Sequence, residues 1–210
     1  MFWIHFWNIF VKITAWPVQF FCFRTKVHYE DRKVQGRRIH GPAIVISNHT
    51  SVFDYAVYLF VFWSRTLRVQ MAELLFEKKP LGLLLKLLGG IRVDRNSFNF
   101  GFVDKSCGIL EKGGVVGIFP ESRIPRPGEK RPLPFKTSAA YTALRSGVPV
   151  IPVVTNGSYF VKKRAEVLIG IPMKADDFID ESLSERENIE RVNEAFRNRI
   201  AEMTRKLDEL

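Results

Sequence analysis

The chain is poor in cysteine and lacks the short motifs of the commonest enzyme chemistries. Its two cysteines, Cys22 and Cys107, are too far apart for metal-ligand spacing and suggest a reducing compartment without a disulfide framework. No Gly-x-Ser-x-Gly, Cys-x-x-Cys, His-Glu-x-x-His, P-loop or Gly-x-Gly-x-x-Gly segment occurs. Covalent serine, zinc and nucleotide mechanisms therefore lack their usual residues. We expect no bound metal and no bound cofactor.

Acidic residues are also scarce, which leaves a strongly basic protein. The 210 residues carry a formal charge of +10, and the 46% apolar content excludes a disordered chain. Residues 181–210 hold 8 acidic and 6 basic side chains, so the preceding 180 residues carry +12. This balance fits nucleic acid, an anionic membrane or a phosphorylated substrate. We expect no nucleic-acid partner, because the basic residues are not interleaved with aromatic ones on any element.

The first 26 residues are rich in apolar side chains and contain no acidic residue. Phe2–Phe23 contains nine aromatic residues and one formal charge, Lys12. On a helix, the polar residues of this stretch fall within a stripe of roughly 60°; they are His5, Asn8, Lys12 and Gln19. Since a soluble surface helix has a wider polar face, residues 1–26 are predicted to form a membrane-associating helix. A buried core helix is the alternative.

Aromatic and basic residues favour a position at the bilayer interface. Three of the four tryptophans lie in this segment: Trp3, Trp7 and Trp16. Pro17 and Lys12 favour a half-inserted helix over a clean span, and Arg24 and Lys26 suit anionic headgroups. A signal peptide is not expected, because the start has no basic region and no small-residue cleavage site follows. Together with the reducing compartment, these features predict a protein at the cytoplasmic face of a membrane.

The remaining residues, 27–210, alternate short apolar runs with helical patterns. Strands are predicted at Ala43–Ser47, Leu67–Met71, Ile91–Val93, Val115–Phe119, Val150–Val154 and Glu166–Ile171. Helices are predicted at Ser51–Trp63, Pro80–Leu88, Phe98–Lys112 and Phe135–Ser146, and an amphipathic helix over Ile189–Leu210 ends the chain. Such alternation predicts an α/β domain with a mixed, largely parallel sheet flanked by helices. The last helix is expected to pack on the domain; a dimerising coiled coil would need more heptads.

One histidine, in the segment Ile-Ser-Asn-His-Thr-Ser-Val-Phe-Asp, follows a predicted buried strand and precedes a helix. In α/β folds the carboxyl ends of strands are where sites form. His49 and Asp54 could make a general base if the histidine folds back over the first helical turn, since a carboxylate on one ring nitrogen orients the other. Alternatively, Ser51 and Asp54 form a capping box and the histidine is a loop residue.

Four segments together resemble the 1-acylglycerol-3-phosphate (lysophosphatidic acid) acyltransferase family of glycerolipid acyltransferases. Asn48–Asp54 matches the Asn-His-x4-Asp signature of that family, and Val93-Asp94-Arg95 looks like its second block. Phe119-Pro120-Glu121 matches the start of the third block, and Val148–Pro152 looks like the fourth. The family also begins with hydrophobic membrane-binding helices.

The resemblance implies roles for individual residues. It makes His49 and Asp54 catalytic, gives Arg95 the acceptor's phosphate, and lets Pro152 shape the acyl side of the site. Arg123 follows a predicted strand end, as Arg95 does, and its guanidinium would suit the same phosphate. Each arginine could instead be a solvated surface residue.

Two neighbouring residues, Glu121 and Ser122, lie at the third block. Glu121 could bind the glycerol hydroxyl, hold an arginine or form a structural salt bridge. Ser122 stands where the family has glycine, a residue with wider backbone freedom. This departure bears on how the acceptor is placed in the loop.

The sequence therefore predicts a membrane-associated O-acyltransferase. The acyl donor would be acyl-CoA or acyl carrier protein, and the acceptor 1-acyl-sn-glycerol 3-phosphate. The product would be phosphatidic acid. Another lysolipid or amphiphilic hydroxyl acceptor is one alternative, and a non-catalytic protein that binds membrane surfaces is the other.

Overall fold

The computed structural model describes residues 2–94, 100–160 and 164–210. The strands are β1 (Lys26–Tyr29), β2 (Ala43–Ser47), β3 (Leu67–Ala72), β4 (Ile91–Val93), β5 (Val115–Ile118), β6 (Val150–Thr155) and β7 (Glu166–Ile169). The α-helices are α1 (Phe2–Thr14), α2 (Trp16–Val18), α3 (Asp54–Val61), α4 (Glu73–Glu77), α5 (Leu81–Leu87), α6 (Gly101–Glu111), α7 (Ser138–Ser146) and α8 (Glu185–Asp208). A π-helical turn covers Gln19–Phe23 and a 3-10 turn covers Ala175–Phe178.

In the described ranges the strands form one seven-stranded sheet in the order β1-β7-β6-β2-β5-β3-β4. Neighbouring strands are parallel except for β6 and β7, which are antiparallel. The predicted mixed, largely parallel sheet flanked by helices is confirmed. Because β2 and β5 are adjacent and parallel, the loops that follow them leave the sheet at the same edge.

Side chains of each strand alternate between two apolar layers, as the period of a strand requires. Val45 faces the layer that contains α3, whereas Ile44 and Ile46 face the layer that contains α7 and α8. Both faces of the sheet are therefore covered, which explains why β2 reads as a continuous apolar run.

The element bounds differ from the predicted ones in ways that have local causes. β1 and α4 were not predicted, because each has only four or five residues with a mixed polar and apolar pattern. α3 begins at Asp54 and not at Ser51, since the preceding residues form a turn around the Asp54 carboxylate. α6 begins at Gly101 among the described residues.

The polar stripe of α1 faces the domain and its apolar side faces outward. Asn8 and Lys12 are 1% and 3% exposed. The Asn8 amide donates to the Leu88 carbonyl (3.1 Å), just after α5, and the Lys12 ammonium donates to the carbonyls of Trp63 (2.9 Å) and Arg65 (2.7 Å), just after α3. The exposed apolar residues of the N-terminal segment are Phe2, Trp3, Phe6, Ile9, Phe10, Ile13, Trp16, Val18, Phe20 and Phe21.

This arrangement departs from the predicted alternative of a buried core helix, which would turn its apolar side inward. Polar side chains attach α1 by donating to backbone carbonyls just beyond the ends of α3 and α5. Over residues 2–94, 100–160 and 164–210, no helix combines the length and the hydropathy needed to cross a bilayer.

Candidate active site

His49 and Asp54 come together at the carboxyl end of β2. The loop Asn48–Phe53 folds back over the start of α3, so that the His49 Nδ1 lies 2.8 Å from the Asp54 Oδ2. This is the geometry that the sequence required for the two side chains to meet. The Asp54 side chain is fully buried and the His49 side chain is 21% exposed. A buried carboxylate and a partly open imidazole are thus fixed against one another.

The Asp54 carboxylate accepts four further hydrogen bonds. Its Oδ2 accepts from the backbone N–H groups of Thr50 (2.7 Å) and Ser51 (3.0 Å). Its Oδ1 accepts from the Thr50 hydroxyl (2.8 Å) and from the Tyr159 hydroxyl (2.8 Å). The predicted alternative, a capping box of Ser51 and Asp54, is not formed, because α3 begins at Asp54 and the Ser51 hydroxyl accepts from the N–H of Phe53.

The hydrogen bond fixes which ring nitrogen of His49 is free. A carboxylate can only accept, so Nδ1 carries the proton and Nε2 keeps its lone pair. The ring stacks on Phe119, with centroids 4.5 Å apart and an interplanar angle of 22°. Phe119 also stacks with Tyr58, with ring centroids 6.1 Å apart. The imidazole is therefore oriented both at its edge and over its face, as a general base requires.

Asn48 anchors the loop Asn48–Phe53 to the neighbouring strand β6. Its side-chain amide donates to the Thr155 carbonyl (2.9 Å), and its side-chain oxygen accepts from the Thr155 N–H (3.0 Å). The side chain thus binds both backbone groups of Thr155, the last residue of β6. Gly157, two residues after β6, has φ +68°, and a Cβ there would meet the Thr50 hydroxyl at 2.6 Å. Glycine lets this connection pass close to the loop.

Glu121, which follows β5, braces the loop from the other side. Its Oε1 accepts from the His49 backbone N–H (3.0 Å) and its Oε2 from the Leu133 N–H (2.9 Å). Burial raises the pKa of the carboxyl, although these two hydrogen bonds oppose the shift. Both oxygens therefore already hold backbone donors. The predicted contact of Glu121 with a glycerol hydroxyl stays a prediction.

Arg123 turns toward its own loop. Its two terminal nitrogens bind both carboxylate oxygens of Glu129, at 2.6 and 2.8 Å. This pair lowers the pKa of the Glu129 carboxyl to about 2. Any phosphate that binds Arg123 would compete with this carboxylate or join it. Arg95, the other predicted phosphate ligand, lies outside the described residues.

Ser122 and Pro152 occupy distinctive backbone positions. Ser122 has φ +55°, the left-handed conformation that glycine adopts freely. The loop therefore keeps the shape that glycine favours although the residue is serine. Pro152 is buried within β6 and lies in register with Ile46 of β2. It is placed inside the sheet and not at the edge where His49 lies.

Three contributors to this site were not identified from the sequence: Tyr159, Thr155 and the side chain of Asn48. Asn48 was part of a recognised block without an assigned role. Tyr159 lies seven residues after the fourth block, where nothing in its spacing connects it with Asp54. Only the path of the chain between β6 and β7 brings its hydroxyl there.

Comparisons with known proteins identify the family. The model of the acyltransferase family matches residues 24–156, which include every predicted site residue. The chain belongs to the acyltransferase family. The resemblance described from the four segments is thereby confirmed.

Two curated relatives of this chain are named for the same activity. The chain is 31% identical over 141 residues to the 1-acyl-sn-glycerol-3-phosphate acyltransferase of Bacillus subtilis, covering 65% of this chain and 68% of the relative. It is 29% identical over 147 residues to human 1-acyl-sn-glycerol-3-phosphate acyltransferase beta, covering 69% of this chain and 52% of the relative. The chain therefore spans between half and about two thirds of these proteins.

A solved structure of the family shares the fold. The crystal structure of the 1-acyl-sn-glycerophosphate (LPA) acyltransferase PlsC from Thermotoga maritima superposes with a TM-score of 0.62 at 22% identity. The match covers 94% of this chain and 78% of that one. It supports the α/β architecture with an N-terminal helix.

Proposed function

We propose that this acyltransferase transfers a fatty acyl group from acyl-CoA or acyl carrier protein to the free hydroxyl of 1-acyl-sn-glycerol 3-phosphate. The products would be phosphatidic acid and a free thiol. The observation that carries the proposal is the His49–Asp54 pair at the carboxyl end of β2, with its Nδ1–Oδ2 distance of 2.8 Å. The names of the relatives supply the substrate class.

The proposed reaction is a direct transfer without an acyl-enzyme. The free Nε2 of His49 takes the proton of the acceptor hydroxyl as its oxygen attacks the thioester carbonyl carbon. A C–O bond forms, and the tetrahedral intermediate then expels the sulfur. His49 returns the proton to the departing thiolate, which restores the neutral imidazole. Asp54 keeps the ring oriented and stabilises the transient imidazolium.

The acceptor's phosphate would be bound by cationic side chains of the neighbouring loops. Arg95 and Arg123 are the proposed ligands, because a guanidinium can hold two phosphate oxygens at once. For Arg123 this requires rearrangement of, or sharing with, the Glu129 carboxylate. We expect Arg95 to contribute more of the phosphate affinity than Arg123 for this reason.

Membrane association is proposed from the orientation of α1. The helix turns Asn8 and Lys12 inward and leaves Trp3, Phe6 and Phe10 exposed. A row of exposed aromatic side chains is unfavourable in water and favourable at a bilayer interface. The acceptor and the product are both lipids, so an enzyme held at that surface meets them where they reside.

The deciding experiment measures thiol release in detergent or vesicles. Palmitoyl-CoA and an acyl carrier protein thioester are each supplied with and without lysophosphatidic acid, and lipid products are separated. We expect release that depends on the acceptor, with phosphatidic acid formed. His49→Ala should lose at least about 100-fold in turnover, since a positioned general base contributes that much. The matched control is His40→Ala, because His40 is exposed on the surface.

Each negative result has a distinct meaning. Turnover that survives His49→Ala would refute the general-base assignment. Thiol release that requires a different lysolipid would identify another acceptor and leave the reaction class unchanged. A panel of lysolipids is included because Arg123 is paired with Glu129. Vesicle binding without turnover under any condition would favour a membrane-surface binding protein.

A further inference from the structure

Tyr159 lies outside every recognised block, yet its hydroxyl ends on the catalytic carboxylate. It donates to the Asp54 Oδ1 at 2.8 Å and lies 3.0 Å from the Thr155 hydroxyl. The side chain is 8% exposed. Burial and the neighbouring carboxylate raise the pKa of the phenol, so it remains a proton donor across the physiological range.

The two oxygens of Asp54 have different partners, and this division has a geometric consequence. Oδ2 receives the His49 Nδ1 together with two backbone N–H groups. Oδ1 receives two hydroxyls, those of Thr50 and Tyr159. A carboxylate can rotate about its Cβ–Cγ bond, and donors on Oδ1 oppose that rotation. They therefore help to keep Oδ2 on the imidazole.

The ring of Tyr159 is held by the N-terminal segment. Phe23, the last residue of the π-helical turn, contacts it edge to face with centroids 5.5 Å apart. Phe23 also contacts Phe53 (6.2 Å) and Phe160 (5.0 Å), and those two rings contact each other at 4.8 Å. Phe23 is 4% exposed. An aromatic cluster thus joins the end of the apolar N-terminal segment to the residue that binds Asp54.

We propose that Tyr159 is a positioning residue for the His49–Asp54 pair, and that Phe23 holds it in place, so that the N-terminal segment contributes to the catalytic geometry. Tyr159 acts through Asp54 and is not required to touch the substrate. The proposal rests on the proposed acyl transfer only for its kinetic test. Its structural content, the dependence of the His49 ring on Tyr159, stands apart from the identity of the acceptor.

The kinetic test compares wild type with Tyr159→Phe, which removes only the hydroxyl. Because a hydrogen bond to a charged group is lost, we expect kcat to fall roughly five- to twentyfold, with the KM for acceptor within about twofold. Tyr141→Phe is the control, since Tyr141 lies on α7 and contacts Phe100. Phe23→Leu should lower kcat by roughly two- to fivefold while keeping the apolar volume. An unchanged kcat in Tyr159→Phe would overturn the proposal.

A spectroscopic test does not depend on turnover. The ring nitrogen resonances of His49 are followed in protein labelled with 15N-histidine and assigned by comparison with His49→Ala. We expect them to shift in Tyr159→Phe and to remain in place in Tyr141→Phe. Unmoved His49 resonances in a folded Tyr159→Phe protein would refute the positioning role.

The two tests separate the failure of this proposal from failure of the proposed function. If wild type transfers no acyl group, the proposed function fails, and the His49 resonances still decide the role of Tyr159. If Tyr159→Phe does not fold, Phe23→Leu carries the same test, because it changes the ring contact and leaves the hydroxyl. Unchanged kcat and unmoved resonances in Phe23→Leu would then overturn the proposal.

Discussion

The first and last helices of the chain are both amphipathic, but they present opposite faces to the domain. α8 buries Val192, Phe196 and Ile200 and directs its charged residues outward. α1 buries Asn8 and Lys12 and directs its aromatic residues outward. The same periodicity therefore produces two different surfaces. The face that a helix buries depends on what its other face meets, so a hydrophobic pattern alone does not give a helix's orientation.

The energetic basis of the two attachments also differs. α8 begins with a capping box, in which Ser184 and Glu187 satisfy each other's backbone N–H groups. It is then held by apolar burial, which is proportional to area and has little directionality. α1 is held by hydrogen bonds from two side chains to carbonyl groups beyond the ends of α3 and α5, and by the packing of Val11 on an apolar cluster of Leu59, Phe60 and Leu88. Such bonds are few and directional, so each matters individually.

The largest expected effect comes from removing a buried apolar side chain of α8. Phe196 is fully buried between α8 and the sheet, where it packs against Phe178 at 6.4 Å. Phe196→Ala should lower the free energy of unfolding by about 3–5 kcal/mol, because a cavity is left in a packed core. Urea unfolding in detergent measures this. A loss below 1 kcal/mol would mean that α8 is not an integral part of the core.

The next effect tests the outward face of α1. Phe6 and Phe10 are about half exposed, and the double change Phe6→Ser with Phe10→Ser should weaken binding to anionic vesicles about 10- to 100-fold. The unfolding midpoint in detergent should change little. Vesicle sedimentation is the measurement.

The matched control replaces two exposed isoleucines away from α1, Ile171 and Ile179. Changing both to serine should leave vesicle binding within about twofold, since only apolar area that meets the bilayer contributes. Equal losses of vesicle binding in the two double variants would show that the N-terminal segment has no special role in membrane binding.

A smaller effect, which depends on pH, tests the attachment of α1 through the buried Lys12. Burial lowers the pKa of Lys12 to about 8 from its ordinary value of 10.5. Between these values the unfolded chain binds more protons than the folded one, so the contribution of this group to the free energy of unfolding increases as pH rises. The contribution is lost as pH falls through about 8. Relative to Lys12→Met, wild type should gain about 1–2 kcal/mol between pH 7.5 and 9.5.

Denaturant unfolding of both proteins at the two pH values provides the measurement. Other titrating groups cancel in the difference between the two proteins, because they are common to both. If the difference in unfolding free energy stays constant or falls as pH rises, the Lys12 ammonium is not buried against the carbonyls of Trp63 and Arg65.

The smallest expected effect concerns the outward face of α8. Lys206 pairs with Glu202 at 2.7 Å and with Glu30 at 3.1 Å, and its side chain is 48% exposed. Lys206→Ala should change the free energy of unfolding by less than about 1 kcal/mol, because exposed ion pairs are screened by solvent. The change should shrink further at high salt. A loss comparable to that of Phe196→Ala would reverse the ranking of the two faces.

Much of the fold could be predicted from the sequence because its strands are buried on both faces. β2, β5 and β6 read as continuous apolar runs, and each was placed within about a residue of its observed bounds. β1 escaped prediction because its pairing with β7, across 140 residues of chain, defines it more than its own composition. Short edge strands carry little local signal.

The candidate site divides in a similar way. The spacing of His49 and Asp54 allowed their contact, and the structure brings them together. Glu121 was selected from the sequence for its place in the third block, whereas its bonds to the backbone of His49 and Leu133 depend on where two loops meet. Tyr159 could not have been found, since its approach to Asp54 is a property of the tertiary fold alone.

One short helix sets a length scale for the proposed enzyme. α3 carries Asp54 at its first residue, and Lys12 binds carbonyls just beyond its other end. Eight residues of α-helix measure about 12 Å. Half the hydrocarbon thickness of a bilayer is about 15 Å. The Asp54 end of α3 therefore lies about one leaflet's hydrocarbon depth from the carbonyls to which Lys12 attaches α1.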